Sequence, residues 1–287
     1  MLPMIVLGVS SWLFDAWRGV FYPDSLARGD YLAYYSRYFA TVEVNTSFYG
    51  RPRQSTVAKW LAATPDGFQF CLKFPRAISH EKQLVDCQAE TRSFLDLLRL
   101  LGDAAAPAFL QLPPGFTRAG AGRTLADYLA WLAEAGRDLR LAVEVRAADL
   151  MTPAFVAYLL DLGLAPVLVD RVNTPDLYPA YLALLEAGKG PRYLVIRWIG
   201  DDANGPTGDR EITAPRDAEL AQWAERLATL HRAGIDVFGY MHNPYEGHSP
   251  ASVRRLQAEL ARYVDLPAWQ PPLEPEDAPP GQLSLFS

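Results

Sequence analysis

Eight times along this chain a short β-rich run is followed by a helical run, and that alternation limits the available folds more than any single motif does. Strands are expected at 5–11, 41–47, 68–74, 108–112, 139–146, 166–170, 193–198 and 236–242. Helices are expected at 31–39, 55–63, 88–101, 125–135, 153–162, 177–186, 218–233 and 250–263, the last with Ser249 as N-cap and Pro250 at its first position. Eight such pairs in about 265 residues match a (β/α)8 TIM barrel, and no break in composition divides them, so a single α/β barrel domain over 1–265 is expected. An open doubly wound sheet is the alternative. It would more often carry a glycine-rich phosphate turn after its first strand, and SSWLFDAWRG is not one.

Composition fits one large core. Of 287 residues, 50% are hydrophobic, yet no run of about 18 apolar residues suggests a membrane span. The leading MLPMIVLGVSSW lacks a basic start and a small-residue cleavage site, so it reads as a first strand and not as a signal peptide. Two cysteines, Cys71 and Cys87, cannot build a disulfide framework or a four-ligand zinc site, and a reducing cytoplasm is the expected location. A net charge of −6 argues against coating nucleic acid by general attraction, while leaving room for a local basic cleft.

The polar residues at the strand ends are harder to place. In TVEVNTSFYGRP (41–52), alternation sets Val42 and Val44 on one face and Thr41, Glu43 and Asn45 on the other, followed by Phe48 and Tyr49. In a parallel barrel the chemistry gathers at these C-terminal strand ends. Charges also end or interrupt other apolar runs: Lys73, Glu144, Arg146, Asp170 and Arg197. One such charge alone is accounted for by an ion pair closing the interior layer. Six together, each costing several kcal/mol if buried unpaired, are more economically read as a binding site.

Successive segments then resemble the motifs of the YecE-like family (domain of unknown function 72): GVSSWLFDAWRGVFYP (8–23), FATVEVNTSFYGRP (39–52), FQFCLKFPRAISH (68–80), FLQLPPGF (109–116), LAVEVR (141–146), YLVIRWIG (193–200) and VFGYMHNPYEGHSP (237–250). The resemblance spans about 8–263 and implies a barrel related to the endonuclease-IV-like and xylose-isomerase-like folds, with no settled reaction. The motif positions it implies here are Ser11, Trp12, Trp17, Glu43, Asn45, Phe48, Tyr49, Lys73, His80, Gln111, Glu144, Arg146, Arg197 and Asn243. The family's last motif usually reads as two asparagines. This chain has His242 before Asn243, a departure expected to alter specificity.

Lys73, Arg146 and Arg197 suit an anionic ligand, and arginine favours forked binding of phosphate or carboxylate. Trp12, Trp17, Phe48 and Tyr49 offer faces for a base or sugar ring. Glu43, Lys73, Glu144 and Asp170 are the candidate catalytic groups; Ser11, Trp12, Asn45, Phe48, Tyr49, His80, Gln111, Arg146, Arg197, His242 and Asn243 are the candidate ligand contacts. A Glu43–Glu144 acid/base pair depends on a separation the sequence does not give. A Schiff base on Lys73 is disfavoured because neighbouring carboxylates would raise its pKa. No metal site is expected, since the four histidines (His80, His231, His242, His248) form neither HxH nor HExxH spacing. The sequence identifies no cofactor and leaves open whether the barrel catalyses at all; a hydrolase-like reaction is the class expected if it does.

From Leu266 a Pro-rich tail, 266–287, is expected to be extended. Its Gln282, Leu283, Ser284, Leu285 and Phe286 resemble the short peptide by which bacterial replication and repair proteins dock on the DNA sliding clamp, a glutamine and a Leu-Phe pair serving as anchors. The alternative is that these apolar residues fold back on the barrel. Two functions follow: a DNA-maintenance protein tethered to the clamp and acting on a small anionic ligand or a nucleic-acid end, or a sugar or phosphosugar hydrolase or isomerase. A ligand-binding adaptor is a third.

Overall fold

A computed structural model describes residues 3–267, 269 and 270. Its strands are β1 (Ile5–Val9), β2 (Thr41–Val44), β3 (Gln69–Leu72), β4 (Ala108–Gln111), β5 (Leu141–Glu144), β6 (Ala165–Arg171), β7 (Tyr193–Gly200) and β8 (Asp236–Met241). All pair in parallel, in the order β3-β2-β1-β8-β7-β6-β5-β4. The sheet curls until β3 and β4 approach, and two isolated bridges, Phe70 with Ala105 and Lys73 with Phe109, join them. The expected (β/α)8 barrel is the fold observed.

Helices cover the outside: α1 (Tyr31–Tyr35), α2 (Thr46–Tyr49), α3 (Gln54–Ala62), α4 (Gln88–Leu101), α5 (Arg118–Ala135), α6 (Pro153–Asp161), α7 (Tyr178–Glu186), α8 (Asp217–Arg232) and α9 (Ser249–Leu260). Thr117 and Thr152 start α5 and α6 by accepting backbone N–H groups with their side chains, Pro153 following in the second case. The start of α9 differs from expectation. Ser249 is already helical and His248 holds the capping position, because the Ser249 N–H and hydroxyl both donate to Asn243 Oδ1.

Strand alternation divides the core in two. Residues such as Cys71, Phe109, Ala142, Val167, Val195, Phe238 and Tyr240 fill the barrel, while Leu7, Val9, Val42, Val44, Leu72 and Leu110 pack outward against the helices. Gly8 lets β1 and β2 come close: a Cβ there would lie 2.1 Å from the Thr41 carbonyl oxygen. Leu266 and Trp269 pack against the outer core, and the Trp269 indole N–H donates to the Ser36 carbonyl at 2.7 Å. The clamp-like peptide 282–286 lies outside the described residues. Among the described residues no helix is long and apolar enough to cross a membrane.

Candidate functional site

Alternation within the strands sends Glu43 (β2), Glu144 (β5) and Arg197 (β7) into the barrel above the apolar layer. All three are buried, and they meet. Arg197 Nε donates to Glu43 Oε2 and Nη2 to Glu43 Oε1, both at 2.8 Å, while Nη1 donates to Glu144 Oε2 at 2.6 Å. Arg146 Nε donates to Glu144 Oε1. The guanidinium of Arg197 also lies 4.8 Å from the centroid of the Phe109 ring. Burial opposes ionisation of the two glutamates, but Arg197 outweighs it and holds both carboxyls below their usual range. Every carboxylate oxygen of the pair accepts from a guanidinium. Neither residue is a ready proton donor at neutral pH.

Above this layer opens a cavity of about 340 Å³ lined by Asn45, Phe48, Tyr49, Lys73, Gln111, Arg146, Arg197, Ile199, Asp202, His242 and Pro244. These residues come from the C-terminal ends of the strands and the loops beyond. Lys73 Nζ donates to Gln111 Oε1 at 2.8 Å and lies 4.0 Å from the Phe48 ring centroid. Burial, with Arg197 adding to it, brings this amine down to about 8 despite the glutamates. His242 Nε2 is buried without a hydrogen-bond partner, 3.6 Å from Glu43 Oε1, and burial lowers its pKa, so the ring is neutral at pH 7. Glu43 and Glu144 against Arg146, Arg197 and Lys73 leave one positive charge over, since Asp202 at the rim is paired with Arg171.

Phe48 and Tyr49 reach the cavity by a route the sequence did not reveal. The expected strand stops at Val44, Asn45 turns helical, and α2 carries the two rings to the rim, Tyr49 80% exposed. Ser47 fixes this turn: its hydroxyl lies 2.7 Å from both the Val44 and the Lys73 carbonyl oxygens and shares its single proton between them. Asn45 Nδ2 donates to the Ser10 carbonyl. His80 sits on a π-helical turn, Ala77–Glu81, with its ring 4.9 Å from that of Phe48.

Five expected residues are placed elsewhere, among them His80, which stands behind Phe48 and is not part of the lining. Asp170 has the outward parity of β6 and accepts from Trp223 Nε1 and the Tyr245 hydroxyl, so it belongs to the packing between strand and helix, away from the cavity. Trp12 is buried edge-on to Trp60, and Asn243 is occupied by the start of α9. Ser11 accepts from the Leu13 N–H and has φ of +146°, a conformation that strains any residue but glycine, yet its side chain is not part of the lining. Trp17, a further motif position, is wholly buried among Phe14, Phe21 and Tyr22. Phe109 and Asp202 were missed. Phe109 shares the parity of Gln111 two residues on, which was the available signal. Among the described residues no group of three or more His, Cys, Asp or Glu is placed to hold a metal, and Cys71 and Cys87 are free buried thiols.

A family profile described as "Protein of unknown function DUF72" matches residues 6–278. The UPF0759 protein YecE of Escherichia coli is 27% identical over 300 residues, covering 99% of this chain and 100% of that one. The UPF0759 protein YunF of Bacillus subtilis is 24% identical over 270 residues, covering 88% and 93%. A crystal structure of a DUF72 family protein from Thermotoga maritima shares the fold, with a TM-score of 0.70 at 24% identity over 90% of this chain and 98% of the other.

Proposed function

We propose that this chain, which belongs to the DUF72 family, binds a small phosphate-bearing ligand in the cavity at the C-terminal face of its barrel. The observation that carries this is the surplus cation: Lys73 faces the cavity bonded only to neutral Gln111, beside an Arg146 whose Nη groups hold no partner among the described residues. An anion would supply the missing charge, with Arg146 offering a fork and Phe48 and Tyr49 offering faces to a sugar or base.

Gln282–Phe286 is proposed to tether the protein to the DNA sliding clamp in the cytoplasm, which gives the site a hydrolase-like role in DNA maintenance on a strand end or damaged nucleotide. Tethering raises local concentration without general attraction to DNA, which suits a chain of net charge −6. The engaged state of Glu43 and Glu144 weighs against the paired-carboxylate route to sugar hydrolysis, because one member must there be protonated.

Calorimetric titration with inorganic phosphate, glycerol phosphate and a 5′-mononucleotide tests the cavity. A phosphate ester is expected to bind and Arg146→Ala to weaken it about tenfold, the loss of one charge-assisted contact. Tighter binding of neutral sugars would sink the phosphate reading. Clamp binding by the full chain and by a chain lacking 282–287 tests the tether: binding lost on truncation supports it, and no binding by the full chain refutes it while leaving the cavity's role intact.

A further inference from the structure

The chain has four lysines. Lys59 is exposed, and Lys82 and Lys189 are paired at the surface with Glu90 and Asp161. Lys73 differs from all three. It is largely withdrawn from water, has the Phe48 ring against one side, and shares its cavity with Arg146 and Arg197. Among the described residues no carboxylate lies within ion-pair distance of its Nζ; the nearby glutamates are held by the arginines. Its hydrogen bond to Gln111 survives loss of a proton, because a neutral amine keeps two N–H donors and gains a lone pair. A lysine needed only as a fixed charge would gain from a carboxylate partner. Burial and the two neighbouring arginines favour the free base, and they outweigh the glutamates and the Phe48 face, which favour the ammonium, in agreement with its lowering to about 8.

We infer that Lys73 is a nucleophile that captures an aldehyde or ketone carrying a phosphate two carbons from the carbonyl, forming a Schiff base. The inference rests on the phosphate-binding reading above and names its substrate class. The Nζ lone pair forms a bond to the carbonyl carbon while the C=O π pair moves to oxygen. A proton then passes from nitrogen to that oxygen, with the unpartnered His242 Nε2 as carrier. The nitrogen lone pair next forms C=N as the hydroxyl takes back the proton that the Lys73 ammonium gave up to solvent in forming the free amine, and leaves as water. The product is an iminium ion whose charge replaces that of the ammonium, so the balance of the buried cluster is kept. No oxidant or further reactant enters, and hydrolysis reverses the step. Two sources share this chemistry: a free aldose phosphate, and the ring-opened sugar of an abasic site, an aldehyde flanked by phosphates in DNA.

The test incubates the full chain with cyanoborohydride and either glyceraldehyde 3-phosphate or a single-stranded oligonucleotide with one abasic site, then locates the reduced adduct by peptide mass. Adduct at Lys73 is expected, its rate rising with pH and levelling above about 8, at about tenfold or more the rate at Lys59, Lys82 and Lys189. Lys73→Arg, checked for fold by circular dichroism, should lose it. Label from the first probe alone identifies a free metabolite, and from the second alone, DNA. Label shared among the lysines by exposure, or persisting in Lys73→Arg, overturns the capture. Binding of glycerol phosphate with no adduct from either aldehyde overturns the capture and spares the phosphate reading. A Lys73 adduct that forms as fast with phosphate-free glycolaldehyde removes the phosphate requirement and leaves the nucleophile.

Discussion

Arg197 and Lys73 are both basic residues at strand ends, and their surroundings give them opposite tasks. Arg197 is buried with three charge-assisted bonds to two carboxylates, so it fixes the layer beneath the cavity. Lysine in its place keeps the charge and loses the fork. Arg197→Lys is therefore expected to cost about 3 kcal/mol or more, because it leaves carboxylate oxygens buried and unpaired; urea denaturation within about 1 kcal/mol of the parent would contradict the assignment. Lys73 has the reverse energetics. Its folded pKa of about 8 lies below the ordinary 10.5, so the unfolded chain binds more protons between those values and stability rises with pH across that window. The handicap is fully present below pH 8. Lys73→Met should accordingly raise stability at pH 7 by roughly 1–3 kcal/mol, after loss of the Gln111 bond, with the gain vanishing toward pH 10.5. An unchanged or lower stability at pH 7 would mean that the ammonium is better compensated than its contacts indicate.

At the scale of elements, much of this was legible and the failures have causes. The alternation TVEV set Glu43 on the face opposite Val42 and Val44, and in the barrel that face is the inward one, as is the face of Glu144 in LAVE. The same period in β6 excludes Asp170 from the interior, since Val167 and Val169 hold the inward positions. What alternation could not give was a short helical turn. The four residues of α2 carry no apolar period, and they are helical because Ser47 ties two carbonyls together across β2 and β3. The partner of Asn243 was equally hidden: side-chain capping across six residues leaves no periodic mark. The stretch 201–215 follows β7. It is anchored by Glu246, whose carbonyl accepts from Thr213 and Ala214 and whose carboxylate accepts from the Arg216 N–H, and its near end brings Asp202 to the cavity rim.

Across the whole molecule, the Glu43–Arg197–Glu144 cluster ties β2, β7 and β5 together through the barrel's interior, so the site exists only once the wall has curled round. That wall is uneven. β7 and β8 share a ladder of six register pairs, whereas β3 and β4 meet through two isolated bridges and the backbone bonds Ala106 to Phe70 and Phe74 to Phe109. The side-chain bond from Lys73 to Gln111 crosses this same joint, just where the cavity opens. The barrel is thus a hoop whose clasp is also its ligand-facing edge. Whatever holds Lys73 in place from within the cavity also holds the clasp shut, and whatever springs the clasp pulls the amine out of line. Amide protons of β3 and β4 should accordingly exchange faster than those of β7 and β8 and slow on addition of a phosphate ester, whereas uniform protection round the hoop would separate the two.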